Sequence, residues 1–191
     1  VRKFKLTSDD VRFTGDTHFG HANIIKFCNR PYRDAAHMDE QLVANWNAKV
    51  SPDQLVFHVG DFAFRSARRS VPYYLERLNG TIILIQGNHD RPADLKHFSE
   101  VHDIVEVTVD GQMIVLCHYA LMVWNRGHYG SWHLHGHSHG TLPTRFNQKV
   151  EDIGVDSWAY APVTFKQVSA IMLMHEAETV DVTPEGVDDE G

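Results

Sequence analysis

The sequence predicts an α/β layered domain, on three observations. Short apolar runs recur along the chain, several end in a glycine followed by a polar residue, and stretches of helical periodicity separate the early ones. The first run, Val11-Arg-Phe-Thr, ends at Gly15-Asp16. The second, Leu55-Val-Phe-His-Val, ends at Gly60-Asp61, and the third, Thr81-Ile-Ile-Leu-Ile-Gln, at Gly87-Asn88. A strand from Val101 to Val109 follows, and Asp110-Gly111 is a hairpin signal leading into Met113-Ile-Val-Leu-Cys and then His118. The fifth run, Trp132-His-Leu-His, meets Gly136-His137. Among the helical patterns, Met38, Leu42, Val43, Trp46 and Val50 form one apolar stripe, which makes Ala36 to Val50 a helix. Ser66 to Leu78 carries another, with Pro72 near its start and Asn79-Gly80 as its stop. Thr164-Phe-Lys-Gln167 has the form of a capping box opening a helix through Met172, with an apolar strand over Val168 to Met174 as the alternative. Hairpin character late in the chain makes the sheet mixed.

A length of 191 residues suits one domain, expected over residues 1–175, followed by an acidic, disordered tail over 176–191. The net charge of −7 belongs to that tail: Glu176, Glu178, Asp181, Glu185, Asp188, Asp189 and Glu190 account for all of it, and no Lys or Arg follows Lys166. The body is near neutral, without the basic face of a dedicated nucleic-acid binder. No apolar run approaches the roughly 20 residues of a membrane span, and the first residues lack signal-peptide architecture. Cys28 and Cys117 have neither metal-finger nor redox-motif spacing and read as small core residues. Together these point to a cytoplasmic protein.

Fourteen histidines are unusual, and they are placed rather than scattered. Asp16 and His18, Asp61, Asn88 and His89, His118, and His137 and His139 each lie just beyond a predicted strand. Ligands of open α/β sheets gather beyond the carboxyl ends of strands, so groups distant in sequence can share one cleft. Gly15, Gly60, Gly87 and Gly136 each precede one of these residues, and a glycine lets the backbone leave a strand sharply.

In these elements the sequence resembles the calcineurin-like metallophosphoesterase family, in particular its compact bacterial and phage-type members. The matching blocks are Asp16-Thr-His18, Gly60-Asp61, Gly87-Asn-His-Asp90, His118 and Gly136-His-Ser-His139, in the family's order and over about two-thirds of the chain. The resemblance implies a βα-sandwich of two packed mixed sheets with helices outside. It also implies two divalent transition-metal ions, one held by Asp16, His18 and His139, the other by Asn88, His118 and His137, with Asp61 between them. The reaction implied is phosphoester hydrolysis by a metal-bridging hydroxide. By the same resemblance His89 protonates the leaving oxygen, and Asp90 is expected to orient it.

The donor chemistry agrees independently. Two divalent ions carry more positive charge than Asp16 and Asp61 cancel, which leaves room for an anionic substrate. Imidazole with oxygen donors suits Mn, Fe, Zn or Ni, with Mn preferred, over Ca or Mg. A phosphodiester is favoured because no multi-arginine pocket for a monoester is evident; a phosphomonoester or nucleotide pyrophosphate substrate is the alternative, and an idle metal-bound scaffold for a protein partner is the alternative of another class. Partners are therefore a small phosphoester or nucleotide, with no membrane. Arg91, Trp124, Arg126 and His21 are candidate substrate contacts, each against an equal chance of a packing or surface role. His133, His135 and His58 read as structural, His37, His97, His102, His128 and His175 as surface residues, and Asp152 and Asp156 as loop or turn residues. Arg65, Arg68 and Arg69 read as a solvated helix face.

Overall fold

The computed structural model describes residues 2–64, 69–143 and 148–177, and among these ten strands form two five-stranded sheets. One sheet has the spatial order β1 (Arg2–Leu6), β6 (Ile104–Val109), β7 (Gln112–Cys117), β8 (Trp132–His135) and β9 (Val150–Asp152). The other runs β10 (Val163–Thr164), β2 (Val11–Thr14), β3 (Leu55–His58), β4 (Thr81–Ile85) and β5 (Glu100–His102). Each contains one antiparallel pair, β6 with β7 and β10 with β2, in an otherwise parallel ladder, so both are mixed.

The period-2 alternation of strands decides which side chains meet. Val11, Phe13, Phe57, Val59, Ile83 and Ile85 share one buried cluster with Val105, Val107, Ile114, Leu116 and Leu134 of the opposite sheet. The intervening residues Val56, Ile82 and Leu84 join a second cluster beneath helices α2 (Ala35–Asn47) and α3 (Val71–Leu75). There α2 buries Met38, Leu42, Val43 and Trp46, the stripe predicted from spacing. Asp34 caps this helix, its side chain accepting from the His37 N–H. The last helix, α5 (Phe165–Ala177), adds Val168 and Met172 to the inter-sheet core, and Phe165 stacks on Trp132 with ring centroids 5.4 Å apart. Its capping box is reciprocal: Gln167 N–H donates to Thr164 Oγ1 (3.1 Å), and Thr164 N–H to Gln167 Oε1 (3.0 Å). The alternative of a strand there is set aside.

Several expectations are corrected. The run from Val101 to Val109 is two strands in different sheets, β5 beside β4 and β6 beside β7, with Asp103 at the crossing. Helix α3 is shorter than the pattern from Ser66 suggested, and residues 65–68, with Arg65 and Arg68, lie outside the described residues. So does the acidic stretch from residue 178 onward. Strands β1, β9 and β10 and the short helices α1 (Ala22–Phe27) and α4 (Pro92–Leu95) were not anticipated. The hairpin at Asp110-Gly111 is present, with both residues at positive φ (47° and 87°). His175 is buried near Glu151 (3.8 Å) rather than at the surface, because it faces back from α5 onto β9.

Candidate metal centre

Strands β2, β3 and β4 are parallel, so their carboxyl ends lie along one edge and deliver residues 15–18, 60–61 and 87–89 side by side. Parallel β7 and β8 deliver His118 and residues 136–139 in the same way. Backbone bonds then stitch the exits together. Asp16 N–H donates to Gly60 O (2.9 Å), His18 N–H to Asp61 O (3.0 Å), and Gly136 N–H to His118 O (3.0 Å). A bridge between Gly15 and Gly154, with Val155 N–H donating to Gly15 O (3.0 Å), joins the loop after β2 to the loop after β9. The two sheets thus bring their ligand-type residues to one end of the sandwich.

Among the described residues three three-donor groups result, of which Cys28, His139 and Asp156 share His139 with one of the two that the motifs form. In each of Asp16, His18, His139 and Asp61, His118, His137, the donor atoms lie within 4.8 Å of one another, the spacing a metal ion needs. Asp61 lies between them, with Oδ2 3.5 Å from His18 Nε2 and 3.6 Å from His118 Nε2. Asp16, His18, Asp61 and His118 are buried, whereas His137 is exposed and His139 half-buried, so the pair opens to solvent on one side. Five of these six residues occupy the left-handed region: Asp16, His18, Asp61, His137 and His139 have φ between 48° and 68°. Non-glycine residues hold that conformation at a cost of order 1–3 kcal/mol each, and it concentrates at functional sites.

The donors fit cations on their own chemistry. Both ring nitrogens of His18 are buried without a hydrogen-bond partner. Burial, then the charge of Arg30, depresses its pKa well below the ordinary histidine value, so the ring is neutral and its lone pair free. Burial, reinforced by the Asp152 and Asp61 carboxylates, pushes the Asp16 carboxyl well above its usual range. A buried anion so disfavoured calls for positive charge beside it. His118 donates from Nδ1 to Val59 O (2.7 Å), which orients the ring so that Nε2 points at the site. That nitrogen lies 3.0 Å from Asn88 Oδ1 and 3.6 Å from Asp61 Oδ2, so three potential ligand atoms converge. Gly87 and Gly136 are glycine for lack of room: a Cβ at either position would collide with the Asp61 or Asp16 carboxylate respectively.

A surrounding layer holds these groups in place. Asp90 does not reach the His89 ring as expected. Its Oδ2 accepts from the backbone N–H of Gly87 (2.8 Å) and Asp61 (2.9 Å), and Oδ1 from that of Phe62 (2.9 Å). Both oxygens are taken, which makes Asp90 a clamp on the Asp61 loop. His89 donates its backbone N–H to Asp61 Oδ1 (2.8 Å), and its half-exposed ring places Nε2 4.0 Å from Asp61 Oδ2. Asp156, read as a loop residue, accepts from His139 Nδ1 (2.7 Å), leaving Nε2 of that ring for a ligand. The buried Arg30 grips Asp156 with Nε (2.8 Å) and Nη2 (2.7 Å) and donates to the carbonyls of Thr17 (3.0 Å) and Asp16 (2.7 Å). Although burial opposes it, bonding from His139 and Arg30 holds the Asp156 carboxyl below the ordinary value. Asp152, expected in a loop, is instead the last residue of β9, and it holds the adjoining loops by accepting from Ser138 Oγ and from the N–H groups of Gly140 and Gly154.

His58 is structural: Nδ1 accepts from Gly60 N–H (3.2 Å), Nε2 meets Thr17 Oγ1 (3.0 Å), and burial lowers its pKa to about 3. His133 and His135 make backbone contacts, His133 with Val115 O and Leu121 N–H, His135 with Gly136 O. Three candidate substrate contacts are engaged elsewhere. Arg91 pairs with Asp94, Arg126 lies over the Tyr129 ring, and Trp124 donates to Ser131 O while packing near His133. The fourth, His21, does adjoin the site, its ring 5.4 Å from that of His18 and 6.4 Å from that of His89. Arg30 was missed because it follows no strand, and Asp156 because β9, which ends just before Gly154, was not foreseen.

A two-sheet sandwich with paired Asp/His donor groups at the strand ends defines a metallophosphoesterase-type protein. The chain belongs to the calcineurin-like phosphoesterase superfamily, whose domain model matches residues 8–155. Uncharacterized protein MJ1445 of Methanocaldococcus jannaschii is 32% identical over 160 residues, covering 81% of this chain and 86% of its own. The Gene 66 protein of Mycobacterium phage D29 is 27% identical over 180 residues, 78% of this chain and 89% of its own. In fold, a protein of unknown function, AQ665, from Aquifex aeolicus superposes with a TM-score of 0.66 at 23% identity, over 84% of this chain and 98% of that one.

Proposed function

We propose that this protein hydrolyses phosphodiesters at a dinuclear centre, in which Asp16, His18 and His139 hold one divalent cation, Asn88, His118 and His137 the other, and Asp61 both. The observation that carries the reading is the position of Asp61 Oδ2, nearly equidistant from His18 Nε2 (3.5 Å) and His118 Nε2 (3.6 Å). Mn, Fe, Zn or Ni would suit the donors, and such a pair supplies an activated water and neutralises charge on the phosphoryl oxygens. The protein's own groups do the rest. His89, beside Asp61 and open to solvent, delivers a proton from its ring to the departing ester oxygen. Asp90 fixes the loop that presents Asp61, and Arg30 with Asp156 fixes the rotamer and tautomer of His139.

A diester is preferred to a monoester because three arginines that neighbour the motifs among the described residues are spent elsewhere: Arg30 on Asp156, Arg91 on Asp94, Arg126 against Tyr129. None of these three is left free to fork a dianionic monoester. The test is turnover of bis-p-nitrophenyl phosphate beside p-nitrophenyl phosphate, after chelation and reloading with Mn, Ni, Zn or Fe separately. Faster diester cleavage that disappears in Asp61→Asn is expected. No turnover with any metal sinks the enzymatic reading, and faster monoester cleavage sinks the diester preference.

A further inference from the structure

Beside the proposed centre is a cavity of about 700 Å³, within the size range of small-molecule sites. Its described lining includes His21, Phe64 and Tyr73, Arg69, and the start of α2 at Ala35 and Ala36. The cavity touches the reaction site through two shared residues. The His21 ring is 5.4 Å from that of His18, and the Phe64 ring is 5.7 Å from that of His89, the proposed proton donor. An ester group leaving past His89 therefore meets this space next.

The walls specify what fits. His21 and Phe64 are stacked face to face, interplanar angle 6°, and Tyr73 has Arg69 over its ring at 4.9 Å. Aromatic faces favour a flat, unsaturated group. Among the described lining residues Asp34, Asp39 and Glu40 face only Arg69, with Asp34 paired to Arg33 and Glu40 to Arg77, so these walls carry no surplus of positive charge for a second phosphate. The acids are committed to the wall itself, Asp39 accepting from Gly20 N–H and Tyr74 O–H (both 2.8 Å), Asp34 from His37 N–H and Arg33, and Glu40 from Arg77, so it is chiefly the rings that remain to meet a ligand. His21 adds a specific polar point: its ring is buried, and Nδ1 has no hydrogen-bond partner. A buried nitrogen left unpaired is expensive unless a ligand completes it.

We propose that this cavity seats an uncharged nucleoside-like group of the phosphodiester, its planar base among His21, Phe64 and Tyr73 and its polar edge bonded to His21 Nδ1. This deepens the phosphodiesterase reading and rests on it for the word substrate. The cavity favours diesters whose leaving alcohol is a nucleoside, over those that release methanol.

Binding can be measured without catalysis. Thymidine is titrated into the chelated protein at up to millimolar concentration, and amide shifts are followed by NMR. Saturable shifts at Gly20, Ala22, Ala35 and Ala36 are expected, at least tenfold weaker in Ala36→Trp, which fills the space, and undiminished by adding inorganic phosphate. Absence of shifts, shifts confined to other surfaces, or equal affinity in Ala36→Trp overturns the inference. Bis-p-nitrophenyl phosphate turnover of the same preparation, reloaded with metal, is read separately. Turnover without thymidine binding sinks the cavity assignment alone, whereas cavity binding without turnover sinks the phosphodiesterase reading, and with it the nucleoside's status as substrate.

Discussion

Replacing Arg30 by Met removes a fully buried guanidinium that makes five hydrogen bonds, one of them to Met38 Sδ. Two of those bonds neutralise Asp156, and two satisfy the carbonyls of Asp16 and Thr17. Breaking a buried pair by deleting one partner costs about 3–5 kcal/mol, because the remaining charge is stranded. Against a total stability of about 5–15 kcal/mol that is a large share. For a domain of this size each kcal/mol corresponds to about 2–4 °C, so Tm should fall by about 6–20 °C. Arg30→Lys keeps the charge but loses the fork, and should fall between parent and Met. Calorimetry of the three proteins with chelator present gives the numbers. The Asp156 carboxyl lies below its ordinary value in the folded state, so its contribution is present above the unfolded pKa near 3.9 and disappears as pH drops through the folded one. The Arg30→Met deficit should hence be constant from pH 6 to 8 and shrink only below about pH 4. A Tm loss under about 2 °C, or additive effects of Arg30→Met and Asp156→Asn, would refute the coupling.

Other outcomes follow from the same geometry. His89→Ala should leave bound metal unchanged by elemental analysis while lowering kcat by about 10²–10⁴-fold, and a drop no larger for poor leaving groups than for good ones removes the acid role. Adding Mn to chelated protein should raise Tm by mass action, about 2.7 kcal/mol of stabilisation at 100 times Kd, and Asp61→Asn should blunt the rise. Gly87→Ala would press a methyl onto the Asp61 backbone nitrogen at 2.6 Å and His118 Cε1 at 2.8 Å; a loss of about 1–3 kcal/mol in urea unfolding is expected, with weaker metal uptake. Glu151 is raised to about 7 by burial and by Asp152, so its share of stability is full below the unfolded pKa near 4.3 and lost as pH climbs through 7. Glu151→Gln, still beside His175, should consequently gain Tm relative to the parent between pH 5 and 8, and a constant difference would count against a raised carboxyl.

What could be read in the chain beforehand was whatever has a local signature. Asp16, Asp61, Asn88 and His137 announce themselves because a glycine releases the strand just before each, and the fold needs that release at one edge. The α2 stripe and the Thr164–Gln167 cap are equally local. Arg30 and Asp156 are 126 positions apart, and nothing in either neighbourhood tells of the other. The run through Asp103 shows a different limit: alternation reveals that residues lie in a sheet, never which of two sheets, so one apparent strand concealed a crossing. For Trp124 and Arg126, proximity to ligand loops in sequence left substrate contact and packing equally open. Folding lays Trp124 beside His133, where its indole nitrogen closes a bond within the loop.

The left-handed backbone at Asp16, His18, Asp61, His137 and His139 carries a consequence for anyone improving this protein's robustness. Glycine would relax each position, and selection for heat resistance in a chelating buffer should enrich such replacements. Every one of them deletes a donor. A library screened for survival alone would therefore drift toward sturdy, chemically silent variants, whereas the same library screened with manganese in the medium should keep its histidines and aspartates.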